Sequence, residues 1–242
     1  MLVLSVLLIW APLSSRAQWA RQPQAETPEE FDAYLLVVER TAPKERITAA
    51  LEFERKCPHS AMLAAVYEMQ MEACRAIGDS EGAIRAGELA LQEVPNNLVV
   101  LTQLAYLLAN SATERGQLAR AEELARNAIA TTKKIRLPKW IDPVRWEETQ
   151  GRLGSTAHSA LGLVAYKHGK TAKAIAEFEA AVSLAPTPDP ALHYRLGLLF
   201  KLRGDPSRAI QELQKAADST EPTLRRLAEA ELRALQRGGA RP

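Results

Sequence analysis

Four histidines and two cysteines are the side chains of this 242-residue chain best suited to hold a metal or to attack a substrate. Their spacing serves neither chemistry. His59, His158, His168 and His193 include no pair at i, i+4, the spacing that puts two imidazoles on one helical face around zinc. His59 and His168 fall at expected helix ends, and all four read as surface histidines. Cys57 and Cys74 are not a pair at ligand spacing, and neither a serine elbow nor a phosphate loop accompanies them. A disulfide is chemically open to an exported chain. Antiparallel packing, however, sets Cys74 about 20 Å along its helix from the point nearest Cys57, and a bridge needs Cα atoms within about 7 Å. Both read as small core thiols. The carboxylates lie on polar helix faces. The chain is therefore expected not to be an enzyme and to hold no cofactor and no metal. What remains is the chemistry of binding, for which tyrosine and arginine are the usual anchors at protein interfaces.

Composition narrows the partner. With 31 basic and 29 acidic residues the net charge is +2, which leaves no electrostatic footprint for nucleic acid. Hydrophobic residues are 47% and charged residues 25%, as in an ordinary soluble domain. Aromatics are 5% while Ala and Leu are plentiful, which suits close helix packing and disfavours a β-sandwich.

The first residues read differently. Leu2 to Leu13 is nearly all apolar, and Ser15-Arg16-Ala17 follows with small residues at both ends. Residues 1–17 read as a secretory signal peptide cut after Ala17. The run is too short to span a bilayer, which takes roughly 20 apolar residues. No Lys or Arg precedes it, so an uncleaved anchor or a buried helix stays open. No Cys follows the cut, which argues against a bacterial lipid anchor. Export would place the chain in the periplasm or cell envelope, with membrane association only if the segment is uncleaved. Residues 18–28 are polar with two prolines and read as a linker.

The elements that would position a binding surface are set out by one spacing. Gly162, Ala174, Phe178, Ala181 and Pro186 are separated by 12, 4, 3 and 5 residues. The intervals recur at Met71, Ala83, Gly87, Ala90 and Pro95, and at Gly197, Ala209, Leu213 and Ala216 with Pro222 one residue late. A period of about 34 residues built from two short helices means a solenoid whose units bury their apolar faces on their neighbours. Residues 27–60 form a degenerate unit in which Arg46 takes a small-residue position. Residues 61–97 form a second unit. Residues 98–135 form a third, stretched by four residues between Ala105 and Ala121, with the extra turn expected to lengthen both its helices around Ala112–Gln117 and its second helix expected to continue to Ile135. Residues 136–154 are an irregular connector and helix extension, with Asp142-Pro143 starting a long helix that runs into Lys167. Units at 155–188 and 189–221 follow, and residues 222–237 form a helix with a polar outer face, as a solenoid end requires. Basic and acidic residues alternate on that face, which reads as solvated.

From Thr27 to Arg237 these units resemble the tetratricopeptide repeat family. Leu161-Gly162, Ala174, Phe178, Ala181 and Pro186 carry the resemblance most fully. Leu196-Gly197, Phe200, Ala209 and Ala216 carry it next, with Leu213 in the aromatic position. The second unit departs at Met71 and Gly87. The resemblance implies an all-α, right-handed solenoid of helical hairpins with a capping helix. It also implies an inner surface made by the first helix of each unit. Register then puts Glu68, Met69, Glu72 and Arg75 there, with Gln103, Tyr106 and Asn110, then Ser159, Leu163, Tyr166 and Lys167, then Tyr194, Arg195, Leu198 and Lys201. Tyr106, Tyr166 and Tyr194 would line one groove, with basic residues towards its C-terminal end. The expected function is a non-catalytic, exported scaffold that holds a protein or peptide in this groove. The alternative is a structural or assembly subunit of an envelope complex that packs through its convex face, its cap, or Trp140 and Trp146 of the connector. A C-terminal carboxylate clamp is not implied, because the matching positions hold Glu68, Glu72 and Gln103. The oligomeric state is left open.

Overall fold

The computed structural model describes residues 24–135 and 142–239. The signal region, most of the linker and Trp140 lie outside the described residues. The described residues form eleven helices and no strand: α1 (Pro28–Glu39), α2 (Pro43–Lys56), α3 (Leu63–Ala76), α4 (Ser80–Glu93), α5 (Leu98–Ser111), α6 (Arg115–Thr132), α7 (Pro143–Lys167), α8 (Thr171–Leu184), α9 (Pro190–Arg203), α10 (Pro206–Ala217) and α11 (Pro222–Gly239). Among them no helix is long and apolar enough to cross a membrane. Consecutive helices pair into antiparallel hairpins, the hairpins stack in chain order, and α11 packs on α10 at the end.

Local chemistry explains the punctuation. Side-chain oxygens of Thr27, Asp79, Asn97, Asp142, Asp189 and Asp205 accept the open N–H groups of α1, α4, α5, α7, α9 and α10. Proline occupies the first turn of α1, α2, α7, α9 and α10, where its missing N–H costs nothing. The first helices of three units end in one way. Gly78, Gly169 and Gly204 take left-handed φ values of 76°, 71° and 79°. The next residue's N–H then reaches back five positions, from Asp79, Lys170 and Asp205 to the carbonyls of Cys74, Ala165 and Phe200, each at 2.9 Å.

One continuous core runs along the stack from Val37 to Ala209. Where the two helices of a unit cross, one side usually carries a large residue and the other a small one. A Cβ on Gly162 would lie 2.8 Å from the Phe178 ring, and one on Gly197 would lie 2.6 Å from Leu213. In the second unit the sizes are exchanged: a Cβ on Gly87 would lie 2.9 Å from the sulfur of Met71. Tyr34 and Ala50 repeat the exchanged order at the same spacing in the first unit, where the Tyr34 ring meets Phe53 edge-on. The apparent departures at Met71 and Gly87 are therefore one compensated change, because the crossing needs a summed volume rather than a particular residue on a particular helix.

Two expectations change. The stretched unit places its extra turn in α6 alone: α5 has the usual 14 residues and α6 has 18. The cause is a capping box, in which Glu114 and Gln117 close the start of α6 right after a short turn. That helix ends at Thr132, short of Ile135. Gly151 and Gly154, which weaken a 25-residue helix on propensity alone, have a packing reason. A Cβ on Gly151 would meet the Leu184 carbonyl at 2.5 Å, and one on Gly154 would meet the Leu184 side chain at 3.2 Å. Their bareness lets α7 lie against the end of α8.

The degenerate first unit shows its cost. Arg46, in the small-residue position, has a buried Nε with no hydrogen-bond partner among the described residues. Phe31, Leu36, Val38 and Leu51 of the same unit are exposed.

Candidate functional site

The first helices α3, α5, α7 and α9 carry all of the expected groove residues, and the structure brings some of them together. Arg195 on α9 reaches past α7 to Tyr106 on α5, 89 positions earlier. Both terminal guanidinium nitrogens donate to the Tyr106 hydroxyl at 3.3 Å, and the guanidinium lies 5.9 Å from the ring centroid. Arg75 on α3 donates to Gln103 Oε1 on α5 at 2.8 Å. Both arginines, with Tyr106, Ser155, Ser159 and Asp189, line a cavity of about 230 Å³. A second cavity of about 100 Å³ opens on the other side of Arg195, walled by Leu163, Tyr166, Phe178, Leu198 and Leu199. Tyr166 stands 54% exposed at its rim.

Other expected groove residues are placed elsewhere or are engaged by the fold. Lys167 donates to the carbonyls of Asn110 and Ala112 at 2.9 Å each, closing the C-terminal end of α5. Glu68 accepts from Asn97 Nδ2 at 2.8 Å, across the turn that starts α5. Glu72 is exposed on α3 outside both cavities. Lys201 pairs with Glu231 of α11 at 2.6 Å. Tyr194 is half-buried and lines neither cavity. Burial first, and then the Glu231 charge, push its hydroxyl pKa up. It therefore faces the cap rather than Tyr106 and Tyr166. Trp146 is half-buried in the first turn of α7.

Two histidines correct the sequence reading. His158 and His193 are not free surface residues. Nδ1 of His158 lies 2.8 Å from Glu177 Oε2, and Nδ1 of His193 lies 2.6 Å from Glu212 Oε2. Each pair joins the two helices of one unit, and both members recur 35 residues apart. The same places hold Leu101 and Leu124 in the stretched unit, both buried. Burial opposes a charge on Glu212, but hydrogen bonds from Lys215 and His193 outweigh it and hold the carboxyl below the usual range. A lowered folded-state pKa adds stability above the unfolded value, about 4.3 for Glu, and that stability is lost as pH falls through the folded value. Glu212→Gln is therefore expected to melt below wild type at pH 7, with the gap closing below about pH 4. Parallel thermal melts across that range measure it.

A further pattern escaped sequence reading. Each second helix from α4 to α10 is tied to the next by one ion pair, with the acid on the earlier unit and the base on the later. Glu88 takes Arg120 at both carboxylate oxygens, at 2.8 and 3.1 Å. Glu122 takes Lys173 at 3.2 Å, and Glu179 takes Arg208. The signal was present: Arg120, Lys173 and Arg208 each precede the first alanine of the spacing. Among the described residues no three His, Cys, Asp or Glu side chains gather at metal-binding geometry.

Residues 155–188 match the family model of the tetratricopeptide repeat. That unit is a tetratricopeptide repeat. The tetratricopeptide architecture extends over the rest of the described chain, as solved structures show. A thermophilic TPR protein of Thermus thermophilus, TTC0263, is 20% identical over 84% of this chain and 99% of its own, with a TM-score of 0.56. PilW, a type IV pilus biogenesis factor, is 12% identical over 87% of this chain and 90% of its own, with a TM-score of 0.60. MamA from Desulfovibrio magneticus RS-1, residues 41 to its end, is 17% identical over 84% and 98%, with a TM-score of 0.59. At these identities the likeness establishes the fold, an all-α tetratricopeptide-type solenoid. No curated protein sequence matches the chain.

Proposed function

We propose that this protein is a non-catalytic, exported scaffold that holds a segment of a partner protein against α3, α5, α7 and α9. The observation that carries the reading is the pair of adjoining cavities on the first helices, one polar and one apolar, with Arg195 between them. Interface energy concentrates in such partly enclosed pockets around Tyr and Arg. Export rests on the apolar run before Ala17, and an uncleaved anchor is its alternative.

A second reading has its own support. A cavity of about 470 Å³ lies beside the connector, among Ile129, Thr132, Gly151, Gly154 and Leu184, and Val144 close by is 63% exposed. In that reading an assembly partner packs on this edge near Trp146. Crosslinking in the native envelope followed by co-purification separates the two. The variant Tyr106→Ala/Tyr166→Ala is expected to lose about nine-tenths or more of the captured partner, and Trp146→Ala to retain it. The opposite outcome would transfer the function to the connector edge. The N-terminus of the same envelope material should be Gln18; Met1 would sink the cleavage.

A further inference from the structure

We infer that the groove takes a segment presenting an acidic side chain next to an aliphatic one, the carboxylate entering beside Arg75 and Arg195 and the aliphatic group entering the pocket under Tyr166. The inference rests on the groove reading above and names the chemistry of its occupant.

The charge is the first reason. Two guanidiniums that link helices of different units, Arg120 with Glu88 and Arg208 with Glu179, are neutralised by a carboxylate. The two in the polar cavity differ. Among the described residues neither Arg75 nor Arg195 has a carboxylate within ion-pair distance. Each is steered only by a neutral oxygen, Gln103 Oε1 or the Tyr106 hydroxyl. A guanidinium has five donors in a fixed fork, so most of each fork stays open. Two like charges brought into one cavity by α3 and α9 repel, and an anion between them reverses the sign of that interaction. Asp189 shares the wall, but its Oδ1 accepts the Ala191 N–H at the start of α9, where the helix end is positive. Ser155 and Ser159 line the same wall, each under 9% exposed, with the Ser159 hydroxyl donating to the Ser155 carbonyl at 2.8 Å.

The second reason is adjacency. The apolar cavity shares Arg195 with the polar one and is walled by three leucines, Phe178 and the Tyr166 ring. Its volume of about 100 Å³ suits one branched aliphatic side chain rather than an indole. Because one arginine forms a wall of both, the two occupants lie within one or two residues of each other along a bound segment. A carboxylate from a side chain, rather than from a chain end, lets the segment continue past the cavity along the groove.

Selection from a library of random displayed peptides on the purified full chain tests this. Enrichment of Asp or Glu within two positions of Leu, Ile or Val is expected. A synthetic peptide of the selected sequence, blocked at both ends, should bind about tenfold or more weakly to Arg75→Gln/Arg195→Gln, and its own Glu→Gln version should lose as much. Binding should also weaken as salt rises. Arg75 is exposed, so Arg75→Gln alone supplies the comparison if the double variant melts early. The inference is overturned if selected peptides lose binding to Tyr106→Ala/Tyr166→Ala yet carry no acidic preference, bind the arginine variants unchanged, or require a free C-terminus. In those cases the groove reading stands. If no peptide is selected, or those selected ignore the tyrosine variant, the groove reading falls and the inference with it.

Discussion

The variant Gly162→Met/Phe178→Gly is expected to be more stable than Phe178→Gly alone. Phe178→Gly empties the crossing of α7 and α8, where the ring is 1% exposed, and removal of a buried ring costs about 3–5 kcal/mol. Glycine inside α8 adds roughly 1 kcal/mol. Gly162→Met alone drives a side chain into a ring that already lies 2.8 Å from the Cβ position, an overpacking of about 1–3 kcal/mol. Together the two changes rebuild the arrangement that Met71 and Gly87 already use in the second unit. The coupling between them should therefore be favourable by about 1–3 kcal/mol. Denaturant unfolding of wild type, both single variants and the double variant closes the cycle. Additive losses would refute the idea that the crossing reads only summed volume.

Phe200→Ala is expected to cause the largest loss at the C-terminal end. The ring is fully buried among α9 and α10, and two guanidiniums roof it, Arg208 at 4.0 Å and Arg203 at 4.9 Å from its centroid. Truncation should cost about 3–5 kcal/mol, or roughly 6–20 °C in melting temperature for a chain of this length. The loss should also be local in origin. The helices of this stack pack mainly on those of the adjoining unit, so amides of α9, α10 and α11 should lose hydrogen-exchange protection before those of α3 and α4. Arg208 would lose its platform and with it the geometry that reaches Glu179. Uniform loss of protection along the chain would show that the stack unfolds as one body and that the ring does not anchor its end.

Much of the architecture was legible because the positions that make it are few and regularly placed. Gly162 against Phe178, the left-handed glycines and the capping aspartates each act within one hairpin, and a spacing along the chain reports them. What escaped depended on pairs. Met71 and Gly87 read as two departures because the compensation appears only when the two helices are laid across each other. The extra turn of the stretched unit went wholly into α6 because the Glu114–Gln117 box fixed its start, a local signal that was present but unread. His158 and His193 read as surface residues until their glutamates, 19 positions on, faced them. The groove was legible only in outline. Its membership depends on contacts between helices of different units: Arg195 of α9 meets Tyr106 of α5, while Tyr194 feels the charge of Glu231 on the cap. No spacing within one repeat carries a contact that crosses two of them.

The ion pairs between successive second helices have a consequence for how such a chain can lengthen. The fourth unit carries both halves of the link, Lys173 for the unit before and Glu179 for the unit after. A tandem duplication of that unit would set Lys173 of the second copy against Glu179 of the first, in the place where Arg208 now meets Glu179. The fifth unit carries Arg208, but Gln214 stands where Glu179 would recur. Copied in tandem, it would set an arginine against a neutral amide. The second unit is the mirror case, with Glu88 but Gly82 in the place of the base. Gene-level growth by copying is therefore electrostatically open at the fourth unit and closed at the second and the fifth.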